Sequence, residues 1–295
     1  MFATPNLEDR PRRRLAANLL SLKSMRRFGP DKTSTLLPRR WLEWLAGIGS
    51  FLAWSAQVMA EPNAVLALNS SRSASELAHA RGHYEARTND VEAAWRYARA
   101  CYESARWTTN RAAKAKTAQQ GIEIGRRLVA QQPDLAAGHY YLSLNLGEFA
   151  DTKRNLAALG MVREMEKEFK KAVELDEDFD YAGADRALGL LYQQAPSFGS
   201  IGSRSKARQH FRRALELAPE FPENRLVLIE ADLKWGETGA AHREITALEK
   251  DWSDARLRFA GPDWDPTWSD WEARLTVAKR KSAASHPPAQ SPRQK

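Results

Sequence analysis

The chain of 295 residues has a single cysteine, Cys101, which excludes an intrachain disulfide framework and any cysteine-built zinc or iron–sulfur site. Its charge-free apolar run Leu45–Val58 has 14 residues, short of the ~20 that a membrane-spanning helix needs. From Ser73 to Lys281 no segment alternates polar and apolar residues as a strand does. There is no Walker lysine, no Gly-x-Ser-x-Gly elbow, no credible Cys/His pair, and no pair of carboxylates in an apolar setting. His79 and His83 share a helical face at i, i+4, but no third ligand is near in sequence and the glutamate of an HExxH motif is missing. The expectation is therefore a protein that is not an enzyme, with no catalytic residue, no metal site and no cofactor.

What is plentiful is positive charge, and it is confined to the ends. The formal net charge is +8, from 45 Lys+Arg against 37 Asp+Glu. Residues 1–60 hold ten basic and four acidic residues, and 279–295 hold five basic and none acidic, so 61–278 nets −3. A middle of that charge has no bulk attraction for a phosphate backbone, and no nucleic-acid partner is expected. The N-terminal excess reads as an export address. Arg39-Arg40 precede the apolar run, which ends in Val58-Met59-Ala60, and small residues at both recognition positions predict cleavage after Ala60. The mature chain is then periplasmic or secreted, with no membrane contact. The alternative is an inner-membrane signal anchor using all of Trp41–Ala60. Translation from Met1 and translation from Met25 both provide a basic leader. The lone Cys101 suits an oxidising compartment if it is buried.

The remainder has the 3.6-residue period of amphipathic helices, in a composition of good helix formers. Breakers recur at Pro133, Asp176–Asp180, Pro196–Gly202, Pro219–Pro222, Gly236–Gly239 and Gly261–Pro266. Within this ladder Ala207-x3-Phe211-x2-Ala214-x4-Pro219 resembles the second helix of a tetratricopeptide (TPR) repeat, and Leu188-Gly189-x2-Tyr192 the first. Small residues let antiparallel helices approach, large ones fill the space between successive pairs, and Pro219 ends the second helix. The same spacing recurs at Met165/Phe169/Ala172, at Gly121/Gly125/Leu128 and at Ala241/Ile245/Leu248. The steps between these second helices are 44, 42 and 34 residues, the last being the TPR period. The expected fold is all-α: a TPR-like α-solenoid of about four helical hairpins, the first three with enlarged inner turns, and a C-terminal capping helix. Its organisation is a leader over 1–60, an N-terminal segment and first helix over 61–89, repeats over 90–258, a Trp-rich cap over 259–281, and a disordered basic tail over 282–295. In the cap, Asp265-Pro266 opens a helix whose Trp268, Trp271 and Leu275 share one face.

A narrower resemblance rests on Gly189, Tyr192, Gln193, Pro196, Phe198 and Gly199, followed by Ala207, His210, Phe211 and Pro219. These residues resemble the T component of TRAP transporters, although Gly199-Ser200-Ile201-Gly202 stands where that family tends to carry a Gly-Gly loop, and a lipoprotein cysteine is absent. The resemblance implies a periplasmic TPR ring with a central channel, working beside a solute-binding protein.

In a TPR superhelix the first helix of each hairpin lines the concave face. That frame points Arg96, Glu103, Tyr140 and Leu144 inward, with Arg186, Gln193 and Glu230 further along. Such a groove suits a peptide or a small-molecule carboxylate, which arginine grips bidentately; the alternative is that these residues pair with one another between repeats. Phe198 and Arg204 belong to the segment Ser197–Arg204, which is either a plain flexible turn or an anion-holding loop at the start of the next helix. The expected role is an exported scaffold that engages a partner protein or peptide through its groove. The alternative is an accessory, oligomeric or not, that passes a small ligand to a solute-binding protein.

Overall fold

The computed structural model describes residues 62–153, 157–197 and 199–284, and every regular element among them is an α-helix. The leader, the Met25 start, the cut after Ala60, Phe198 and residues 285–295 lie outside the described residues. The helices are α1 (Pro62–Ala86), α2 (Val91–Trp107), α3 (Arg111–Gln131), α4 (Ala136–Asp151), α5 (Ala157–Leu175), α6 (Phe179–Gln194), α7 (Arg204–Leu217), α8 (Pro222–Lys234), α9 (Thr238–Arg258) and α10 (Asp265–Ala284). Side-chain caps fix several starts. Asp90 accepts from the amides of Glu92 and Ala93, Asn110 from Ala113, and Ser203 from Lys206.

Each helix packs on the next, and α2, α4, α6, α8 and α10 also pack on one another in series. This is an α-solenoid of four hairpins, α2–α3 to α8–α9, with α1 before them and α10 after. The small-and-large pattern is what seats the helices. Phe169 and Phe211 are fully buried, as are Ala172, Ala207 and Ala214. A methyl group added to Gly189 would lie 2.4 Å from the Phe211 ring, so α6 and α7 approach this closely only because that position is glycine. Cys101 is fully buried, and burial pushes its thiol up to about 12, so it is an inert apolar filler.

One expectation needs correction: the inner turns of the first three hairpins are not all enlarged. The α2–α3 turn has three residues, 108–110, as does the α8–α9 turn, 235–237. The longer first repeat comes from longer helices, which carry α2 and α3 beyond the shared packing positions. The second hairpin likewise has longer helices, and the third carries its excess in the turn between Gln194 and Arg204. That turn is closed on itself by Gly202 N–H to Pro196 O (2.9 Å) and Ser203 N–H to Tyr192 O (2.9 Å). At the other end Ser282 is buried within the last turn of α10, so the helix continues through 282–284, where a tail was expected.

The cap closes the array as patterned. Trp268, Trp271 and Leu275 are buried against α8 and α9. The Trp268 indole donates to Phe259 O (2.6 Å) and that of Trp271 to Glu223 (2.7 Å), so neither polar edge is buried without a partner.

Candidate functional site

The inner helices enclose a cavity of about 800 Å³. One wall is the α2 stripe Arg96, Arg99, Glu103, Arg106, at steps of three, four and three residues, which keeps all four on one helical face. Tyr140, Tyr141 and Leu144 from α4, and Ala187 and Leu190 from α6, also line it. Trp264 and Trp271 line it from the C-terminal part of the chain, and α1 contributes Asn69, Arg72 and Glu76. Arg72 of α1 donates to Pro262 O (2.9 Å) and to Asp263 (2.7 Å), while its Nε donates to Glu76 (2.9 Å). The first helix is thus fastened to the loop that precedes the last.

The floor is built by an unusual piece of backbone. Asp180, Tyr181 and Ala182, at the start of α6, have φ of 53°, 56° and 57°, three successive non-glycine residues in the left-handed region. The steric cost is roughly 1–2 kcal/mol per residue, and surrounding contacts hold it in place. Tyr140 donates its hydroxyl proton to Asp180 Oδ2 (2.6 Å). Arg186 Nη1 donates to Tyr181 O (3.0 Å) and to Asn224 Oδ1 (2.8 Å), and Asn224 Nδ2 also donates to Tyr181 O (3.1 Å). The Tyr181 ring stacks on Phe221 at 4.4 Å and meets Phe259 edge-on at 5.4 Å. A side chain on Gly183 would strike the Tyr140 hydroxyl at 2.5 Å, so glycine is required where the turn rejoins the helix.

The residues expected to face inward divide accordingly. Arg96, Glu103, Tyr140, Leu144 and Arg186 line the cavity. Arg96 is paired with Glu92 (2.6 Å), and Arg186 serves the left-handed turn, so both of these arginines are already engaged within the chain. Gln193 is half-buried on α6 and is not part of the lining. Glu230 accepts from Arg274 Nε (2.7 Å), on the α10 side of α8. Arg204 pairs with Glu237 and lies over the Trp235 ring (4.9 Å), away from the cavity. Sequence reasoning missed Arg99 and Arg106, although they extend the Arg96/Glu103 stripe by one step of three at each member. It also missed Tyr181 and Trp264, which arrive from distant segments.

The electrostatics of the cavity follow from its depth. Burial raises the Glu103 carboxyl from its ordinary value, with Arg106 and Arg99 pulling it back. Burial likewise raises the Tyr140 and Tyr141 hydroxyls, and Asp180 adds to both. For Glu223 burial is outweighed by Arg274 and Arg186, and its carboxyl is held at about 2. No cluster of three or more His, Cys, Asp or Glu side chains suited to a metal ion occurs among the described residues. The lining is dominated by aromatic faces, guanidinium groups and carboxylates.

Residues 65–182, less than half of the chain, match the family described as Regulator of microtubule dynamics protein 1-3. No curated protein matches the chain. Among solved structures it is similar to a thermophilic TPR protein of Thermus thermophilus, at 20% sequence identity and a TM-score of 0.54, over 79% of this chain and 99% of that one. With ten helices, no strand among the described residues and this neighbour, the chain has a TPR-like α-solenoid fold.

Proposed function

We propose that the chain is a non-catalytic, exported helical-repeat scaffold that holds a short extended segment of a partner protein in its concave cavity. The observation that carries this reading is the cavity itself, of about 800 Å³, on the inner helices of the array and walled by Tyr140, Tyr141, Tyr181 and Trp264. Aromatic faces give a large contact area at little entropic cost, and arginines at the same wall fix orientation. The test is site-directed photocrosslinking in an export-competent bacterial host. A benzophenone side chain at Leu190, inside the cavity, should give discrete protein adducts, and one at the exposed Arg212 on α7 should not. Equal labelling from both positions, or none from Leu190, overturns the reading. Sequencing of the mature N-terminus tests export: a start at Glu61 is expected, and a start upstream contradicts cleavage after Ala60.

A second reading is an accessory like the TRAP T component, which holds a small ligand for a solute-binding protein. It is favoured by the Arg72 clasp, which bounds the cavity, and by a volume inside the ~300–1,000 Å³ range of small-molecule sites. A small molecule recovered in stoichiometric amount from the purified protein supports this reading over the first.

A further inference from the structure

His139, on the first turn of α4, is 4% exposed, and both of its ring nitrogens face oxygen acceptors. Nδ1 lies 2.6 Å from Glu168 Oε2 of α5, and Nε2 lies 2.9 Å from the Pro133 carbonyl oxygen in the turn between α3 and α4. Glu168 is itself 6% exposed. A neutral imidazole has one N–H and one lone pair, so it donates to one of these oxygens and turns the lone pair on the other. Two hydrogen bonds therefore need two protons. Imidazole is a stronger base than a carboxylate, so the geometry puts both on the ring, as an imidazolium beside a carboxylate. The neighbouring charges are otherwise engaged or in water. Lys167 Nζ, on an exposed side chain, stands 3.3 Å from Glu168 Oε1, and Asp134 on the turn is exposed. Glu164 and Lys171, one turn to either side of Glu168, pair with Arg126 of α3 and with Glu174. His210 differs. Only its Nδ1 meets a carboxylate, Asp185 at 2.6 Å, so a neutral Nδ1–H tautomer serves it.

We propose that the His139 ring is a proton-operated latch at the joint between the first and second hairpins. With both protons in place it ties α4 to α5 and to the turn that follows α3 at once. When the pH rises and one proton leaves, one of the two bonds is lost, and the oxygen left behind faces a lone pair at close range. The sign follows from the proton count: acid closes the latch and alkali opens it. Its position gives it a reach beyond the joint. Tyr140 and Tyr141, the next two residues of α4, line the cavity, so freeing the start of α4 loosens an aromatic part of the lining. The latch stands on the two ring contacts; this regulatory consequence alone rests on the reading that the cavity is a binding site.

The experiment follows the His139 ring by 15N NMR and the amides of residues 138–141 by hydrogen exchange, on the full mature chain, between about pH 6 and about pH 9. At the acid end both ring nitrogens should carry protons. As one leaves, protection of these amides, corrected for the intrinsic rate, should fall by at least about tenfold while that of α8 holds. Glu168→Gln should abolish the response. Its amide donates to Nδ1 while Nε2–H donates to the Pro133 carbonyl, and neither proton leaves in this range. His139→Gln, which reaches only one of the two partners, should show the low protection at every pH. A single ring N–H at the acid end, protection that ignores the loss of the ring proton, or a Glu168→Gln chain that responds as the parent does, overturns the latch. N-phenyl-1-naphthylamine, a fluorescent probe without charge, reads the cavity, and Leu190→Trp should eject it by filling the space. Its affinity should weaken with rising pH in the parent and not in Glu168→Gln. His79 and His83 line the cavity in both chains, so the difference belongs to the latch. A parent that binds the probe equally at every pH overturns the link to the cavity. If the parent binds no probe, or Leu190→Trp fails to eject it, the binding-site reading falls and the exchange alone decides the latch.

Discussion

Arg274 is 9% exposed on its side chain and meets Glu223, Glu230 and Asp270 at 2.7, 2.7 and 3.1 Å. Removing the cation that pairs with all three leaves three carboxylates in a poorly hydrated place without their shared partner. Arg274→Met should therefore cost about 3–5 kcal/mol in thermal or urea unfolding. The sign of the acid dependence follows from Glu223. Its folded pKa of about 2 lies below the ~4.3 of an unfolded glutamate, so its contribution is complete above about pH 5 and is lost as pH falls towards 2. In urea titrations the stability gap between the parent and Glu223→Gln should be widest near pH 6 and shrink steadily below pH 4.5; a gap independent of pH would contradict this. Gly189→Ala tests close packing by a different route. Its methyl would meet the Phe211 ring at 2.4 Å, and a loss of about 1–3 kcal/mol is expected.

At the scale of elements, the hairpins were legible because their signal is local: a small residue, a large one and another small one at helical spacing mark where two helices touch. The turn lengths were not, because a long interval between such marks can be filled by helix as well as by loop. α2 and α3 filled theirs with helix and α6–α7 with a turn. The left-handed turn at Asp180–Tyr181–Ala182 was illegible for a related reason. None of the three is glycine or asparagine, and what holds them there comes from Tyr140, Arg186, Asn224 and Phe221. Arg186→Met removes the Arg186 bonds while keeping much of the bulk. Amide exchange at 180–184 should rise well above the parent rate while α3, distant in the array, stays unchanged. Unchanged exchange at the turn would show that stacking of Tyr181 suffices to hold it. The cavity wall was half legible. The repeat frame gave Arg96 and Glu103, and the same face one step further holds Arg99 and Arg106.

At the scale of the molecule, the basic excess belongs to the ends of the sequence, and the array between them works with individual charges rather than a field. The clasp from α1 to the 262–263 loop joins residues about 190 positions apart, so no local pattern could announce it. Its ion pair is a surface one, with Arg72 34% and Asp263 88% exposed on the side chain, and such pairs contribute ~0–1 kcal/mol. Arg72→Ala should accordingly leave the melting temperature within about 2–4 °C of the parent and speed amide exchange along α1; exchange that stays at the parent rate would show that α1 is held by its packing on α2 alone. A linear stack of repeats has two free edges, and it comes apart by peeling from either one. Here the Arg72 contacts tether one edge to the loop beside the other. The tether is weak, so peeling should begin where it lets go, and α1 should lose its amide protection before the hairpins behind it do.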